Sequence, residues 1–179
     1  GWEFLGVNRH PMWRRHFYDL GANIQKMNEL AEEKGNYNAI LIGRTVMLMS
    51  TMMTTDAFGD MPRSQVYKSN SPQYDKQAEV YEWMYQEVDE LLKLCAEKDK
   101  ALEINMGGLK YPINLPSPNV DTIKRYKELG GKLVSVGSDS HYAERIGFGI
   151  PRAYEMAREA GFDFVARFKE RKAFEFAIK

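Results

Sequence analysis

This chain of 179 residues has one cysteine, three histidines and no net charge, and each of these features excludes a class of protein. The single cysteine, Cys95, excludes an internal disulfide and fits a reducing compartment. The 25 basic and 25 acidic side chains cancel, so no overall positive field predicts a nucleic-acid partner. The three histidines, His10, His16 and His141, are few for an enzyme that holds several metal ions.

Long apolar runs are also missing. The longest, residues 39–53, is too short to span a bilayer and contains Gly43 and Arg44, so no transmembrane segment is expected. The run is rich in methionine and predicts a helix buried between others. Residues 1–5 show no basic stretch ahead of an apolar one, so we expect no signal peptide and, by default, a cytoplasmic location.

The first half of the chain predicts three helices, because apolar residues recur there at helical spacing. Their approximate bounds are 12–34, 36–55 and 75–98. Asn36 or Asn38 is the predicted cap of the second helix, and Asp75 the predicted cap of the third.

The second half alternates between strand and helix patterns. Strands are predicted over 101–105, 132–136, 162–168 and 173–178, with helices starting at Ser117-Pro118 and at Ile150. Strands that alternate with helices predict parallel pairing through crossover connections. The change of pattern sets the predicted domains at 1–95 and 96–179.

The segment Asp139-Ser140-His141 follows directly after the predicted strand 132–136 and carries the most chemical information. Side chains two apart on an extended strand end point the same way. A carboxylate and an imidazole so placed suit Zn, Mn or Fe, which lower the pKa of bound water. The alternative is that Asp139 caps the next turn and His141 is a surface residue. His10 and His16, six residues apart, fall on different helix faces and are not expected to complete such a site.

Several motifs accompany this segment in order. They are Leu102-Glu103-Ile104-Asn105, Gly107-Gly108-Leu109, Pro116-Ser117-Pro118, Tyr126-Lys127-Glu128-Leu129-Gly130-Gly131 and Ile146-Gly147. Over residues 95–179 the chain resembles the C-terminal part of the PHP (polymerase and histidinol phosphatase) family, specifically the histidinol-phosphate phosphatases. The resemblance implies part of a (β/α) barrel with parallel strands. It also implies a trinuclear metal site and hydrolysis of a small phosphate monoester such as histidinol phosphate.

The same resemblance implies roles for four residues. Asp139 and His141 would be the last metal ligands and the catalytic residues, with Zn, Mn or Fe as the metal. Asn105 and Lys110 would line the substrate mouth, where Lys110 meets phosphate. The opening His-x-His of the family, its bridging glutamate and its middle histidines have no counterpart here, so the predicted site is incomplete.

Residues 8–94 resemble a different family. The motifs are Ala57-Phe58-Gly59-Asp60-Met61-Pro62 after an apolar helix, and Pro72-Gln73-Tyr74-Asp75 opening an acidic one. They are similar to the SusD/RagB family, outer-membrane lipoproteins that bind glycans beside a TonB-dependent transporter. This resemblance implies a TPR-like segment of three helices, a glycan partner and an outer-membrane location. The aromatic residues of this half are interpreted as packing rather than as a sugar platform; they are Trp13, Tyr37, Tyr67 and Trp83.

The predicted fold class is therefore α/β, with a helical N-terminal segment and a partial barrel after it. Two incomplete families in one chain predict a composite such as a fusion. Three functions stay open: a phosphatase segment, a glycan-binding scaffold without catalysis, and a composite with no native function. The open strand edges of a partial barrel also predict a homo-oligomer.

Overall fold

The structure is a computed structural model and describes residues 10–178. The chain divides into two compact units, Gly1–Leu91 and Leu92–Lys179. The predicted boundary at residue 95 and the observed one both fall within a single helix, Gln77–Glu97. Within residues 10–178, no helix combines the length and the apolar character that crossing a membrane requires.

The first unit is helical. Its elements are α1 (Pro11–Arg14), a π-helical stretch (Arg15–Gly21), α2 (Ala22–Glu33), α3 (Tyr37–Phe58) and α4 (Gln77–Glu97), which continues into the second unit. The predicted helices are all present, but the first contains the π-helical stretch, which the apolar spacing did not predict. At its end, Gly21 is required because a Cβ there would collide with the hydroxyl of Tyr67, which reaches across to donate to the Phe17 carbonyl.

The two predicted caps have different outcomes. Asn36 caps α3, because its side chain accepts the Ala39 amide at 3.2 Å. Asp75 does not cap α4: its carboxylate accepts the Arg63 amide at 2.7 Å and the Ser64 amide at 2.8 Å. An antiparallel bridge between Asp75 and Met61 turns the carboxylate back toward this loop.

The predicted burial of α3 on all sides is wrong for one face. Ile40 is 6% exposed, whereas Ile42, Met49 and Met53 are 63%, 57% and 54% exposed. The buried stripe of the helix contains glycine and threonine instead, at Gly43, Thr51, Thr54 and Thr55. At 100° per residue the two sets fall on opposite faces, and α2 packs on the side of Gly43.

The second unit alternates between strands and helices. Its elements are β1 (Leu102–Asn105), α5 (Val120–Glu128), β2 (Val134–Gly137), α6 (Ile150–Glu159), β3 (Phe164–Lys169) and β4 (Lys172–Ala177), with short 3₁₀ turns at Gly107–Lys110 and Ala143–Arg145. Its fully buried side chains include Ile104, Ile123, Tyr126 and Val134. They come from β1, α5 and β2, so the core of this unit lies between the strands and the helices.

The strands form two separate pairs. β1 and β2 are parallel, with Leu102 opposite Val134 and Asn105 opposite Gly137, as predicted. β3 and β4 form an antiparallel hairpin around a turn at residues 169–172, as the sequence predicted. The parallel pairing expected to continue to the third strand is wrong, because among residues 10–178 β3 pairs with β4 and not with β1 or β2. The connection from β3 to β4 has only two residues between the strands, which is too short for a crossover. The chain is thus a mixed helix-and-sheet protein with parallel strands, while the TPR-like and barrel arrangements stay predictions.

The predicted start of α5 at Ser117-Pro118 is two residues early. Asn119 is the cap, and its side chain accepts the Thr122 amide at 2.9 Å. Ser117 instead pairs with the end of β1, exchanging two backbone hydrogen bonds with Asn105 at 2.7 and 2.9 Å. This pairing fixes the end of β1, where the candidate site begins.

Candidate functional site

A cavity of about 580 Å³ in the second unit gathers chemically active side chains. Its lining residues are Gly107, Lys110, Tyr111, Asp139, His141, Tyr142, Glu144 and Arg145. All of them follow the carboxyl end of β1 or of β2, and the carboxyl ends of parallel strands meet at one edge. The cavity therefore lies where an α/β protein ordinarily places its ligand.

Asp139 lies in a turn rather than on an extended strand end. Its φ of +48° is in the left-handed region, and β2 ends two residues earlier at Gly137. The two-residue alternation of a strand therefore does not explain why Asp139 and His141 line the same cavity. Both side chains are exposed, so neither is packed away in the core.

His141 is oriented by the backbone of the same turn. Its Nδ1 lies 3.0 Å from the carbonyl oxygen of Asp139. The hydroxyl of Ser140 donates to the Tyr142 carbonyl at 2.7 Å, which holds the following residue. The turn thus fixes the imidazole through main-chain atoms rather than through a second acidic side chain.

The other two predicted residues have different environments. The ammonium of Lys110 lies 2.7 Å from the carbonyl oxygens of both Ser138 and Asp139. Asn105 does not line the cavity: its Oδ1 accepts the Gly107 amide at 2.8 Å and its amide donates to Glu103 at 3.1 Å. The structure therefore brings Lys110, Asp139 and His141 together in one cavity, and Asn105 lies outside the lining of that cavity.

Gly107 allows the carboxylate of Asp139 to come close to the main chain. A Cβ at this position would lie 2.7 Å from Asp139 Oδ2 and 2.9 Å from Asn105 Oδ1. Any side chain there would displace one of these two groups. Glycine at this position is therefore part of how the site is built.

Four lining residues were missed from the sequence: Tyr111, Tyr142, Glu144 and Arg145. Three of them follow His141 within four positions, and that closeness is the signal that could have found them. Within residues 10–178 the Arg145 guanidinium forms no ion pair. The cavity combines two cations, Lys110 and Arg145, with two carboxylates, which suits an anion held beside acidic groups.

A complete metal centre does not fit the residues that the structure describes. Asp139 and His141 offer one carboxylate and one imidazole. Across residues 10–178, no group of three or more His, Cys, Asp or Glu side chains is placed to hold a metal ion. Catalytic zinc sites use three protein ligands, so two donors make at most part of a site.

The other two histidines have structural contacts in the first unit. His10 accepts the Met12 amide at 3.3 Å and its ring lies 5.1 Å from that of Phe58. His16 is buried against Ser50, at 2.8 Å, and burial lowers its pKa to about 4. The two histidines thus have separate partners, and that they do not share a metal stays a prediction.

The first unit also contains a smaller cavity, of about 220 Å³, next to Trp83. The guanidinium of Arg63 lies 4.6 Å from the Trp83 ring, which covers that face of the ring. The guanidinium of Arg44 donates two hydrogen bonds to the carboxylate of Glu87, at 2.7 and 2.8 Å. The two arginines of this cavity are thus engaged by neighbouring side chains, which supports packing as the role of Trp83.

Comparison with known proteins finds relatives of both halves. A family model for SusD-like proteins, described as starch-binding and associating with the outer membrane, matches residues 4–108. A probable histidinol-phosphatase of Thermotoga maritima is 33% identical over 79 residues, which are 44% of this chain and 34% of that protein. One of Clostridium acetobutylicum is 34% identical over 100 residues, 55% of this chain and 38% of that protein. Both resemblances drawn from the motifs are confirmed.

A histidinol-phosphatase of Lactococcus lactis is 37% identical over 83 residues, 46% of this chain and 30% of that protein. The chain spans about a third of the length of these curated relatives. The crystal structure of the histidinol phosphate phosphatase from Lactococcus lactis, complexed with Zn, L-histidinol and phosphate, is similar at a TM-score of 0.47. It shares 24% identity and covers 74% of this chain and 51% of that chain.

Proposed function

The chain belongs to the SusD-like family through residues 4–108, and we propose that residues 96–179 hold an incomplete phosphate-monoester hydrolase site of the histidinol-phosphatase type. The observation that carries the proposal is one cavity that joins Asp139 and His141 with Lys110 and Arg145. The names of the curated relatives support the reaction class. The substrate would be a small phosphate monoester such as histidinol phosphate.

The two cations are the groups that would hold the phosphate. Arg145 has five donors free of ion pairs within the described residues, and Lys110 has one ammonium proton beyond its two carbonyl bonds. Charge-assisted bonds to phosphate oxygens are shorter and stronger than neutral ones. Tyr111 and Tyr142 line the same cavity and would flank the organic part of the substrate.

Asp139 and His141 would supply two donors to a divalent metal, Zn, Mn or Fe. Such a metal, when bound, lowers the pKa of its water and so provides a nucleophile at neutral pH. Because the described residues do not complete a ligand set, we derive no hydrolytic step through it. We expect weak metal binding by this chain, without the geometry that turnover needs.

Paramagnetic broadening by Mn²⁺ tests the proposed site. Added Mn²⁺ is expected to broaden the amide signals of Gly107 and His141 at sub-stoichiometric concentrations. The Asp139→Ala variant should lose this effect, whereas Asp121→Ala, a carboxylate on α5, should keep it. Equal broadening in both variants would remove Asp139 from the metal site.

Inorganic phosphate tests the cations separately. A phosphate titration is expected to shift the amides of Lys110 and Arg145, and Arg145→Gln should weaken binding about tenfold, which corresponds to the loss of one charge-assisted contact. Arg152→Gln, on α6, is the matched control. Phosphate binding that Arg145→Gln leaves unchanged would contradict the anion role of this cavity.

Assays of phosphate-ester hydrolysis test whether the metal site is incomplete. With Mn²⁺, Fe²⁺ or Zn²⁺ added, we expect hydrolysis of p-nitrophenyl phosphate and histidinol phosphate no faster than by Asp139→Ala. Metal-dependent hydrolysis that Asp139→Ala abolishes would mean that the site is complete and would overturn this part of the proposal.

The alternative function is glycan binding without catalysis, together with association with the outer membrane. The family model favours it, because it covers more than half of the chain and is described as starch-binding. Calorimetry with soluble maltooligosaccharides separates the two functions. Binding that persists in Asp139→Ala and without divalent metal would support the alternative. The absence of both glycan and metal binding would leave a composite without native function.

A further inference from the structure

Lys110 is bonded to the turn that carries the two candidate ligands. Its ammonium lies 2.7 Å from the carbonyl oxygens of Ser138 and Asp139, two consecutive residues that are 28 and 29 positions further along the chain. An ammonium has three donors and no acceptor, so two of its three protons are committed to this backbone. A side chain that only contacted substrate would leave them free.

The turn needs such support, because its conformation is unusual. Asp139 has a φ of +48°, a left-handed conformation that is uncommon for residues with a Cβ, although aspartate adopts it more readily than most. The β ladder cannot support this turn, since β2 ends at Gly137. The last hydrogen bond between the two strands is donated by the amide of Met106, one residue beyond β1, to the carbonyl of Gly137 at 2.8 Å.

The carbonyl of Asp139 links Lys110 to His141. The oxygen that receives the ammonium of Lys110 also lies 3.0 Å from His141 Nδ1. A carbonyl oxygen only accepts, and it has two lone pairs. The neutral imidazole must therefore carry its proton on Nδ1, which leaves the lone pair on Nε2.

We propose that Lys110 is a positioning residue, which fixes the Ser138–Asp139 carbonyls and thereby holds His141 as the Nδ1–H tautomer beside the Asp139 carboxylate. This deepens the proposed function and rests on it for the use of the site, but not for the geometry. Metal-binding histidines ordinarily donate their second ring N–H to a carbonyl or a carboxylate, and this arrangement supplies that donor partner in advance.

The tautomer is measured directly by ¹H–¹⁵N correlation spectra of the imidazoles at pH 8.5, above the ordinary pKa of histidine. The chain has three histidines, so His10→Gln, His16→Gln and His141→Gln assign every signal. His141 is expected to be mainly the Nδ1–H form in the wild type. A wild-type His141 with its proton mainly on Nε2 would overturn the proposal.

Substitution of Lys110 tests the link. Lys110→Met is expected to move His141 toward the Nε2–H form, Lys110→Arg to preserve the Nδ1–H form, and Lys132→Met, an exposed lysine, to have no effect. Unchanged amide shifts of Ile104 and Val134 show that β1 and β2 stay folded. A tautomer that Lys110→Met leaves unchanged in a folded protein would also overturn the proposal.

A second measurement uses the wild type and so does not depend on whether the Lys110→Met variant folds. In the wild type, the hydrogen-bonded ammonium of Lys110 should exchange its protons with water more slowly than exposed lysines such as Lys132. Exchange at the same rate would contradict the two carbonyl bonds.

Metal binding then separates this proposal from the proposed function. Where Mn²⁺ binds, Lys110→Met should raise its dissociation constant about 10- to 100-fold, the effect usual for a residue that orients a ligand. A wild-type Nδ1–H tautomer without any Mn²⁺ binding would support the role of Lys110 and refute the metal site. Mn²⁺ binding by a His141 with its proton on Nε2 would refute the role of Lys110 and support the metal site.

Discussion

Gly107 is the residue at which a single added methyl group tests the packing of the cavity. In Gly107→Ala the new Cβ would lie 2.7 Å from Asp139 Oδ2 and 3.0 Å from Asp139 Cβ, so the turn must shift. We expect a loss of about 1–3 kcal/mol in the free energy of unfolding, typical of overpacking, together with weaker Mn²⁺ binding.

Gly137→Ala is the matched control for this prediction. Its Cβ would meet the end of the Glu103 side chain, at 2.9 Å from Oε1, and that exposed carboxylate can move away. Urea unfolding should therefore show a much smaller loss. If the two variants lose the same stability, the contact of Gly107 with Asp139 is not what makes the position special.

His16 gives the first unit a pH-dependent stability. Burial lowers its pKa from 6.5 to about 4, so the unfolded chain binds the proton more tightly than the folded one. This depressed pKa stabilises the folded state fully above pH 6.5, and that stabilisation is lost as the pH falls toward 4. Between pH 7 and pH 5 we expect a loss of about 2 kcal/mol.

Tryptophan fluorescence during urea unfolding measures this loss, because all three tryptophans lie within residues 1–91. In His16→Asn the stability should change much less between pH 7 and pH 5, where the carboxylates stay ionised. An equally steep pH dependence in the variant would assign the effect to other groups.

That Asp139 and His141 line the cavity could be expected from their place after a strand, whereas the argument from their spacing on an extended strand was wrong, because Asp139 lies in a left-handed turn. The role of Lys110 could not be predicted, because its partners are carbonyl oxygens 28 and 29 residues away. Backbone acceptors have no sequence signature. The left-handed turn at Asp139 was not predicted either, because the preference of aspartate for this conformation is too modest to identify a single position.

Helix α3 offers a comparison between two neighbouring isoleucines. Ile40 is 6% exposed and Ile42 is 63% exposed. Ile40→Ala should cost about 2–4 kcal/mol, because it leaves a cavity in a packed face, while Ile42→Ala should cost well under 1 kcal/mol. Tryptophan-monitored urea unfolding compares the two, and equal losses would mean that the face of Ile42 is covered.

The hairpin of β3 and β4 is the element whose turn can be improved. Glu170 and Arg171 have φ values of 51° and 64°, the conformation that Asn-Gly favours in a two-residue turn. The double variant Glu170→Asn with Arg171→Gly should stabilise the hairpin by about 1 kcal/mol. Arg171→Val should destabilise it, because a β-branched residue resists positive φ.

Amide hydrogen exchange of Val165 and Phe176, which face each other across the hairpin, measures both changes. The Asn-Gly variant should exchange more slowly and the Val variant faster. Exchange that responds to neither substitution would contradict the observed turn.

Helix positions could be predicted from apolar spacing, but burial could not. The sequence of α3 is apolar around most of its circumference, and this predicted a helix covered on every side. The structure places Gly43, Thr51 and Thr54 on the covered face and leaves Met49, Met52 and Met53 exposed. Gly43 allows α2 to approach closely, a property that hydrophobicity does not measure.

For the whole molecule, motif order was more informative than composition. The two resemblances placed the change of family near residue 95, and the compact units divide at Leu91. Composition alone excluded partners without naming one. The turn between the last two strands was visible in the sequence, but the pairing of β3 with β4 in a sheet apart from β1 and β2 was not, because alternation of strands and helices does not say which strands share a sheet.

Zero net charge and the exposed face of α3 together predict self-association near neutral pH. Like-charge repulsion is weakest near the pI of about 7.0, so apolar contact between copies is least opposed there. Light scattering should give a mass above 20.7 kDa at pH 7 in low salt and a lower mass at pH 9. The variant Met49→Lys with Met53→Lys should be smaller than the wild type at pH 7, because its two charges interrupt the exposed face. A control with Gln73→Lys and Gln86→Lys adds the same charge elsewhere, and an equal effect in the control would mean that net charge alone, and not this face, governs association.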